Sequence, residues 1–234
     1  MTLQEFSDGF TTLLSSHSIL AAFGNPAADI VLDEYEKSLF LTQAQEDIAL
    51  GIYNGTAGTG FEQTEEARRY LSNLIDEANC SPIESSNNKP LGLDSNSRFF
   101  TLPPDLWFIT YESATVTKDK CGNVDIEVKP VTQEEYHRIK KNPFRGTNDR
   151  RALRLDLSDG VVELISKLPV SKYYVRYLKQ LQPIILVNLP EELSINGLRE
   201  ERGCLLNESL HQRILDRAVL LAIQSKRLPS NSKE

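Results

Sequence analysis

Apolar residues recur at helical spacing through the first third of the chain. Leu3, Phe6, Phe10, Leu13 and Leu14 form one stripe, and Thr2 followed three residues later by Glu5 has the pattern of a capping box. After a turn at Gly24-Asn25-Pro26, Asp29 is placed to cap a second helical region from Ile30 onward. That region is expected to break or bend near Ser38 to Thr42. It then continues with Leu41, Ala44, Ile48, Ile52 and Tyr53 on one stripe, which Asn54-Gly55 stops. Thr64 caps a third helix whose first turn carries Glu65 and Glu66, where the helix dipole favours negative charge. Its apolar face is Ala67, Tyr70, Leu71, Leu74, Ile75 and Ala78.

Residues 80–97, rich in Ser, Asn and Pro, carry no period and read as an exposed loop or a seam. From Arg98 the period becomes two. Phe99, Phe100 and Leu102 begin a β region, and Trp107 to Tyr111 open a strand that runs to about Thr117. Lys118 to Asn123 is a hairpin connection, and Val124, Ile126 and Val128 alternate on the returning strand. Thr132 and Glu135 cap a short helix ending before Asn142-Pro143-Phe144-Arg145-Gly146. Ala152–Leu157 and Val161–Ile165 are expected to pair around Ser158-Asp159-Gly160, and Tyr173–Lys179 with Ile184–Val187 as a third pair. Asn207 caps a last helix buried through Leu210, Ile214, Leu215, Ala218, Leu221 and Ala222. The class is α+β: N-terminal helices, an antiparallel β-hairpin region and a C-terminal amphipathic helix. The expected organisation is a helical region 1–78, an exposed loop 79–97, a β-rich region 98–228 closed by the last helix, and a disordered tail 229–234, all in one compact unit.

Composition narrows the partners more than the fold. The 234 residues are 40% hydrophobic and 25% charged, ordinary values for a globular chain. No apolar run approaches the roughly 20 residues that span a bilayer. Gln4, Glu5 and Asp8 stand where a secretory signal needs a basic region and an apolar stretch. Cys80, Cys121 and Cys204 have neither disulfide-framework nor metal spacing and read as reduced thiols. The net charge of −7 is unevenly distributed. Residues 1–116 carry 5 basic and 17 acidic side chains, and residues 117–234 carry 21 and 16. Either solvated faces differ by chance of composition, or an acidic surface on one copy meets a basic surface on the next, as in a head-to-tail ring.

Chemistry-bearing constellations are sparse. Pro104-Asp105 followed by Glu127-Val128-Lys129 has the residue order of metal-dependent nucleases of the Pro-Asp…Glu-x-Lys type, with Glu112 as a further carboxylate. A hairpin turning near Lys120-Cys121 puts Glu127 opposite Ala114, about nine residues or ~30 Å from Asp105, too far for one metal ion. Glu112 is then expected to form an exposed cross-strand ion pair with Lys129. His17, His137 and His211 lack metal-ligand spacing, and Gly55 to Gly60 follows a helix and lacks a lysine. No cofactor or metal site is expected. The densest charge cluster is Arg138, Lys140, Lys141, Arg145, Arg150, Arg151 and Arg154, a surface for a neighbouring protein or for DNA phosphate. Tyr136 and Phe144 beside it are too few for a base-stacking platform.

Several phrases together carry a resemblance. They are Glu34-Tyr35-Glu36-Lys37-Ser38, Phe40-Leu41-Thr42, Ala44-Gln45, Tyr53-Asn54-Gly55, Phe61-Glu62 and Glu65 to Tyr70. Lys129-Pro130-Val131, Asn142-Pro143-Phe144 and Ala152-Leu153-Arg154-Leu155 continue them. Tyr174 to Lys179, Pro183 to Leu186, Cys204, Leu206, and Leu210-His211 to Ala218-Val219 close the series. Spanning most of the chain, these phrases resemble the ring proteins of the head-to-tail connector of crAss-like tailed bacteriophages and related virion structural proteins. The resemblance implies a non-enzymatic subunit of a symmetric ring beneath the portal, in about twelve copies to match it. It also implies a DNA channel running through the ring. Portal protein and other connector or tail proteins would be its partners, no membrane would be involved, and the protein would reside in the virion after assembly in the host cytoplasm. The other classes kept open are the nuclease built on Glu112, Glu127 and Lys129 and a discrete adaptor for a host protein.

Overall fold

Local capping patterns translate directly into the first helix. In the computed structural model Thr2 N donates to Glu5 Oε2 at 2.8 Å, and Glu5 N donates to Thr2 Oγ1 at 3.2 Å. Helix α1 (Leu3–Ala22) follows. The structure describes residues 1–22, 31–55, 61–83, 92–118 and 122–226. The 24–26 turn, Asp29, Cys121 and the tail 229–234 lie outside these, as does the side chain of His17. The chain divides into two units, one of residues 1–74 with 181–234 and one of residues 75–180. Their boundaries fall at Leu74/Ile75 and Gln180/Leu181, not within residues 79–97.

In the first unit, α2 (Glu34–Asn54) is capped by Asp33, not Asp29. Asp33 accepts from Glu36 N at 2.7 Å and Glu36 answers with a bond from the Asp33 N–H. Gly55 ends the helix at φ 70°, a left-handed conformation that glycine adopts without steric cost. The expected break at Ser38 to Thr42 is absent; the helix runs straight through with these polar residues on its buried side. Ser38 Oγ accepts from Leu186 N at 3.0 Å, Thr42 Oγ1 accepts from Ile184 N at 3.1 Å, and Gln45 Nε2 donates to Gln182 O at 2.9 Å. Positions 38, 42 and 45 share one helix face, so they act as a ladder for an extended segment.

That ladder explains a second correction. Ile184–Val187 does not pair with Tyr173–Lys179. Its backbone is taken up by α2 and by a bridge between Ile185 and Arg202. Residues 185–202 fold back on themselves through Asn196 (φ 51°) and Gly197 (φ 78°), with Ile195 and Leu198 exchanging both backbone bonds at 3.0 Å. Two successive positive φ values are what a type I′ hairpin turn requires.

Helix α3 (Glu65–Tyr70) is capped by Thr64 as the pattern predicts, but it stops after six residues. Leu71 and Leu74 are buried in a cap and a 3₁₀ turn, and the stripe expected to run on to Ala78 becomes a strand instead. Helix α5 (His211–Lys226) closes the unit after a 3₁₀ turn capped by Asn207. Leu210, Ile214, Leu215, Ala218 and Ala222 are buried as expected, and Leu221 is half-buried. Phe6 and Phe10 of α1 are fully buried in this unit. A Cβ added at Gly9 would lie 2.8 Å from Leu215 Cδ2, so α1 and α5 are in close contact there.

The second unit is one seven-stranded sheet. Its strands are β1 (Ile75–Cys80), β2 (Ser97–Thr101), β3 (Leu106–Lys118), β4 (Gly122–Pro130), β5 (Arg151–Asp156), β6 (Val161–Ile165) and β7 (Val170–Lys179). They are ordered β1-β7-β3-β4-β5-β6-β2. All neighbours are antiparallel except β4 and β5, which run parallel. A parallel pair needs a crossover, and α4 (Gln133–Ile139) with the loop after it supplies that connection. The sheet curls until the chain after β1 meets β2: Pro82 bridges Phe100, and Ile83 N donates to Phe99 O at 2.8 Å. The core therefore takes one or more residues from every strand, among them Cys80, Phe100, Ala114, Ile126, Ala152, Leu164 and Tyr173. The β5–β6 turn uses Asp159 (φ 58°) and Gly160 (φ 68°), as its sequence predicts.

Candidate interaction surface

The seven cations of the basic run do not form one surface. Strand parity and helix position send them to different places. Arg154, on β5, turns inward, and its side chain is only 11% exposed. Its Nε lies 3.2 Å from Glu112 Oε2, an ionic contact without hydrogen-bond alignment, and its Nη1 lies 3.3 Å from Asp156 Oδ1. Tyr173 OH donates to the same Glu112 carboxylate at 2.5 Å. Burial pushes the Glu112 carboxyl above the usual carboxylate range, and Arg154 and the Tyr173 hydroxyl pull it part of the way back. Burial, with Glu112 alongside, also raises the Tyr173 hydroxyl and keeps it a neutral donor. The expected exposed pair between Glu112 and Lys129 is thus replaced by a buried one. The cause is a one-residue difference in register: Glu127 pairs with Ser113, not Ala114, and Glu112 points to the interior alongside Ala114 and Val116.

Three further cations are matched at the surface. Arg138 pairs with Glu134 one helical turn away. Lys140 Nζ lies 3.3 Å from Asp94 Oδ2 and 5.4 Å from the Tyr136 ring centroid. Arg151 donates through Nε and Nη2 to Glu127 Oε2, both at 3.2 Å, and through Nη1 to Phe144 O at 3.0 Å. Exposed pairs of this kind contribute little to stability. Among the described residues, Lys141, Arg145 and Arg150 make no ion pair, and all three are exposed.

These three surround a loop with a defined shape. After α4, Asn142 N donates to Ile139 O at 2.8 Å. The Asn142 side chain then accepts from Phe144 N at 2.9 Å and Arg145 N at 3.2 Å, and Gly146 N donates to Asn142 O at 2.7 Å. Asparagine is suited to this because its short side chain reaches backbone donors two and three residues on. Gly146 is required by space: an added Cβ would lie 2.7 Å from Asn142 O and 2.9 Å from Ile139 O. The Arg151 guanidinium closes the base of the loop on Phe144 O. Held in this way, the Phe144 ring is 85% exposed. Beside it a cleft of about 520 Å³ is lined by Glu127, Asn148, Asp149, Arg150, Arg151 and Lys167. The sequence places Phe144 in the segment that ends α4 and beside the basic run, without marking it as a displayed anchor; Asn142 and Gly146 flanking it are the signal for a constrained tip.

The residues of the nuclease reading are not brought together. Asp105 accepts from Tyr177 OH at 3.2 Å, Glu112 holds Arg154 and Tyr173, and Glu127 holds Arg151. Among the described residues no group of three or more His, Cys, Asp or Glu side chains is arranged to hold a metal ion. His211 packs on Phe6 with ring centroids 5.3 Å apart and contacts Leu206 O and the Met1 amine. Burial, and then that amine, hold its imidazole below the usual value. Cys80 and Cys204 are free thiols, and burial pushes Cys204 up to about 11. None of the described helices is long and apolar enough to cross a membrane.

A protein-family model described as phage tail ring protein 3/4 matches residues 1–234. The chain belongs to this family of phage tail ring proteins. This ring-family chain is 48% identical over 240 aligned residues to Ring protein 3 of Bacteroides phage crAss001, covering 100% of both sequences. It is 29% identical over 233 residues to Ring protein 4/5 of the same phage, covering 95% of this chain and 92% of the relative. The resemblance to crAss-like phage ring proteins therefore holds over the full length.

Proposed function

We propose that this chain is a non-enzymatic structural subunit of a homo-oligomeric ring in the head-to-tail connector of a crAss-like phage. The ring stacks beneath the portal, contacts portal, connector and tail proteins, and forms part of the channel through which DNA passes. About twelve copies close it, matching the portal's symmetry. After assembly in the host cytoplasm the protein resides in the virion. The observation that carries this reading is the full-length likeness to Ring protein 3. The geometry supports it, because the carboxylates from which a nuclease site would be built are each occupied in folding contacts.

Charge supports self-association. Residues 1–74 and 181–234 carry 18 acidic and 10 basic side chains, whereas residues 75–180 carry 15 and 16. The acidic excess of the chain thus belongs to one unit while the other is close to neutral and carries the basic run, an arrangement suited to a heterologous, head-to-tail contact. Electron microscopy of particles containing the protein tests the reading. A rotationally symmetric ring of this chain below the portal is expected. Its absence from purified particles, or a magnesium-dependent DNA cleavage lost on Glu127→Ala, would overturn it.

A further inference from the structure

We infer that the 142–146 finger is the plug of the ring contact, seated in an acidic cleft on the helical unit of the next copy. This rests on the ring reading above and specifies which surfaces meet. The finger meets the requirements of an anchor. Its tip is a large apolar ring held in solvent, its backbone is fixed before binding, and Lys141, Arg145 and Arg150, close to it in the chain, make no ion pair among the described residues. A preorganised aromatic flanked by arginine loses little conformational freedom on docking and matches the composition of interface hot spots.

The receiving surface is identified by charge and size. Residues 1–74 carry 11 acidic and 3 basic side chains, the most one-sided stretch of the chain. On them, the exposed Glu65 and Glu66 and the half-buried Tyr70 line a cleft of about 600 Å³, completed by Arg69, Asn207 and Ser209. A phenylalanine ring fits within that volume. Glu65, together with Glu66, which accepts from Tyr70 OH at 2.5 Å, outweighs Arg69 and offers negative charge to the arginines beside the ring. DNA is the weaker match for the finger. Glu127 and Asp149 in the cleft next to it offset two of its three cations, Arg150, Arg151 and Lys167, and leave little net positive charge for phosphate.

The test uses full-length protein in assembled particles. With Arg145→Cys and Glu66→Cys together, oxidation should join neighbouring copies into a ladder of covalent oligomers that neither single variant gives. Arg145→Glu should lower the amount of the protein in particles at least tenfold, and adding Glu66→Arg should restore it. Circular dichroism of the purified variants separates this loss from misfolding. Particles that keep the ring but give no ladder overturn the inference and leave the ring reading standing. Particles in which Arg145→Glu keeps the ring but releases packaged DNA place the finger on DNA and also overturn it. Wild-type particles with no ring of this chain defeat the ring reading itself.

Discussion

Arg145 and Arg154 stand nine positions apart in one basic run, and the fold uses them in opposite ways. Arg154 alternates inward on a strand and neutralises a buried glutamate, so its charge serves the folded state. Arg145 sits on a constrained loop and makes no ion pair among the described residues, so its charge contributes almost nothing to folding and is available to another molecule. A run of like charges therefore does not define a surface. Backbone geometry sorts it first, and only the remainder is open to partners. The same sorting applies to apolar residues, since Phe99 and Phe100 are sealed in the interior while Phe144 is displayed.

The largest expected effect comes from the buried end. Arg154→Met leaves Glu112 buried without its cation and should cost about 3–5 kcal/mol, read as a lower denaturant midpoint. Burial holds the folded-state Glu112 carboxyl above its unfolded value. The stability tied to the protonated form is therefore complete below about pH 4.3 and is lost as pH rises through the folded value. The variant should thus lose most of its stability between mildly acidic and neutral pH. An unchanged midpoint across that range would show that Glu112 and Arg154 are not coupled.

A smaller effect is expected where the buried polar group is neutral. Ser38→Ala leaves the buried Leu186 N–H without its acceptor and should cost about 1–3 kcal/mol, with little dependence on pH. Comparing the two variants separates the cost of an orphaned charge from that of an orphaned dipole.

Much of this was legible in the sequence where the signal is local. The caps at Thr2, Thr64, Thr132 and Asn207 and the turn at Asp159-Gly160 depend on a few adjacent residues and appear as read. The turn at Asn196-Gly197 carries an equally plain hairpin signal in its dipeptide. Other features were not local. Leu71, Leu74, Ile75 and Ala78 keep helical spacing, but pairing of β1 with β7 overrides it. Ser38, Thr42 and Gln45 read as a break because their partners lie more than 130 positions away. The parallel pairing of β4 and β5 leaves no mark in either strand, and the Glu112 contact turned on a single residue of register.

His211 gives a gentler probe of the buried class. Its imidazole is held neutral, with a folded-state value below the unfolded one near 6.5. The associated stability is complete above that pH and is lost as pH falls through the folded value, so the melting temperature should decline below about pH 6.5. His211→Gln should flatten that decline.

The smallest effect on folding is expected at the exposed end, and there the comparison is sharpest. Phe144→Ser should change stability by less than about 0.5 kcal/mol, because the ring makes no buried contact. The same change should abolish incorporation into particles.

A reconstruction of the head-to-tail junction at side-chain resolution tests the central claim most directly. The account predicts a closed ring of this chain in which Phe144 and Arg145 of each copy lie against Glu65 and Glu66 of the next. A ring whose copies meet elsewhere, with Phe144 open to solvent or to the channel, would contradict it.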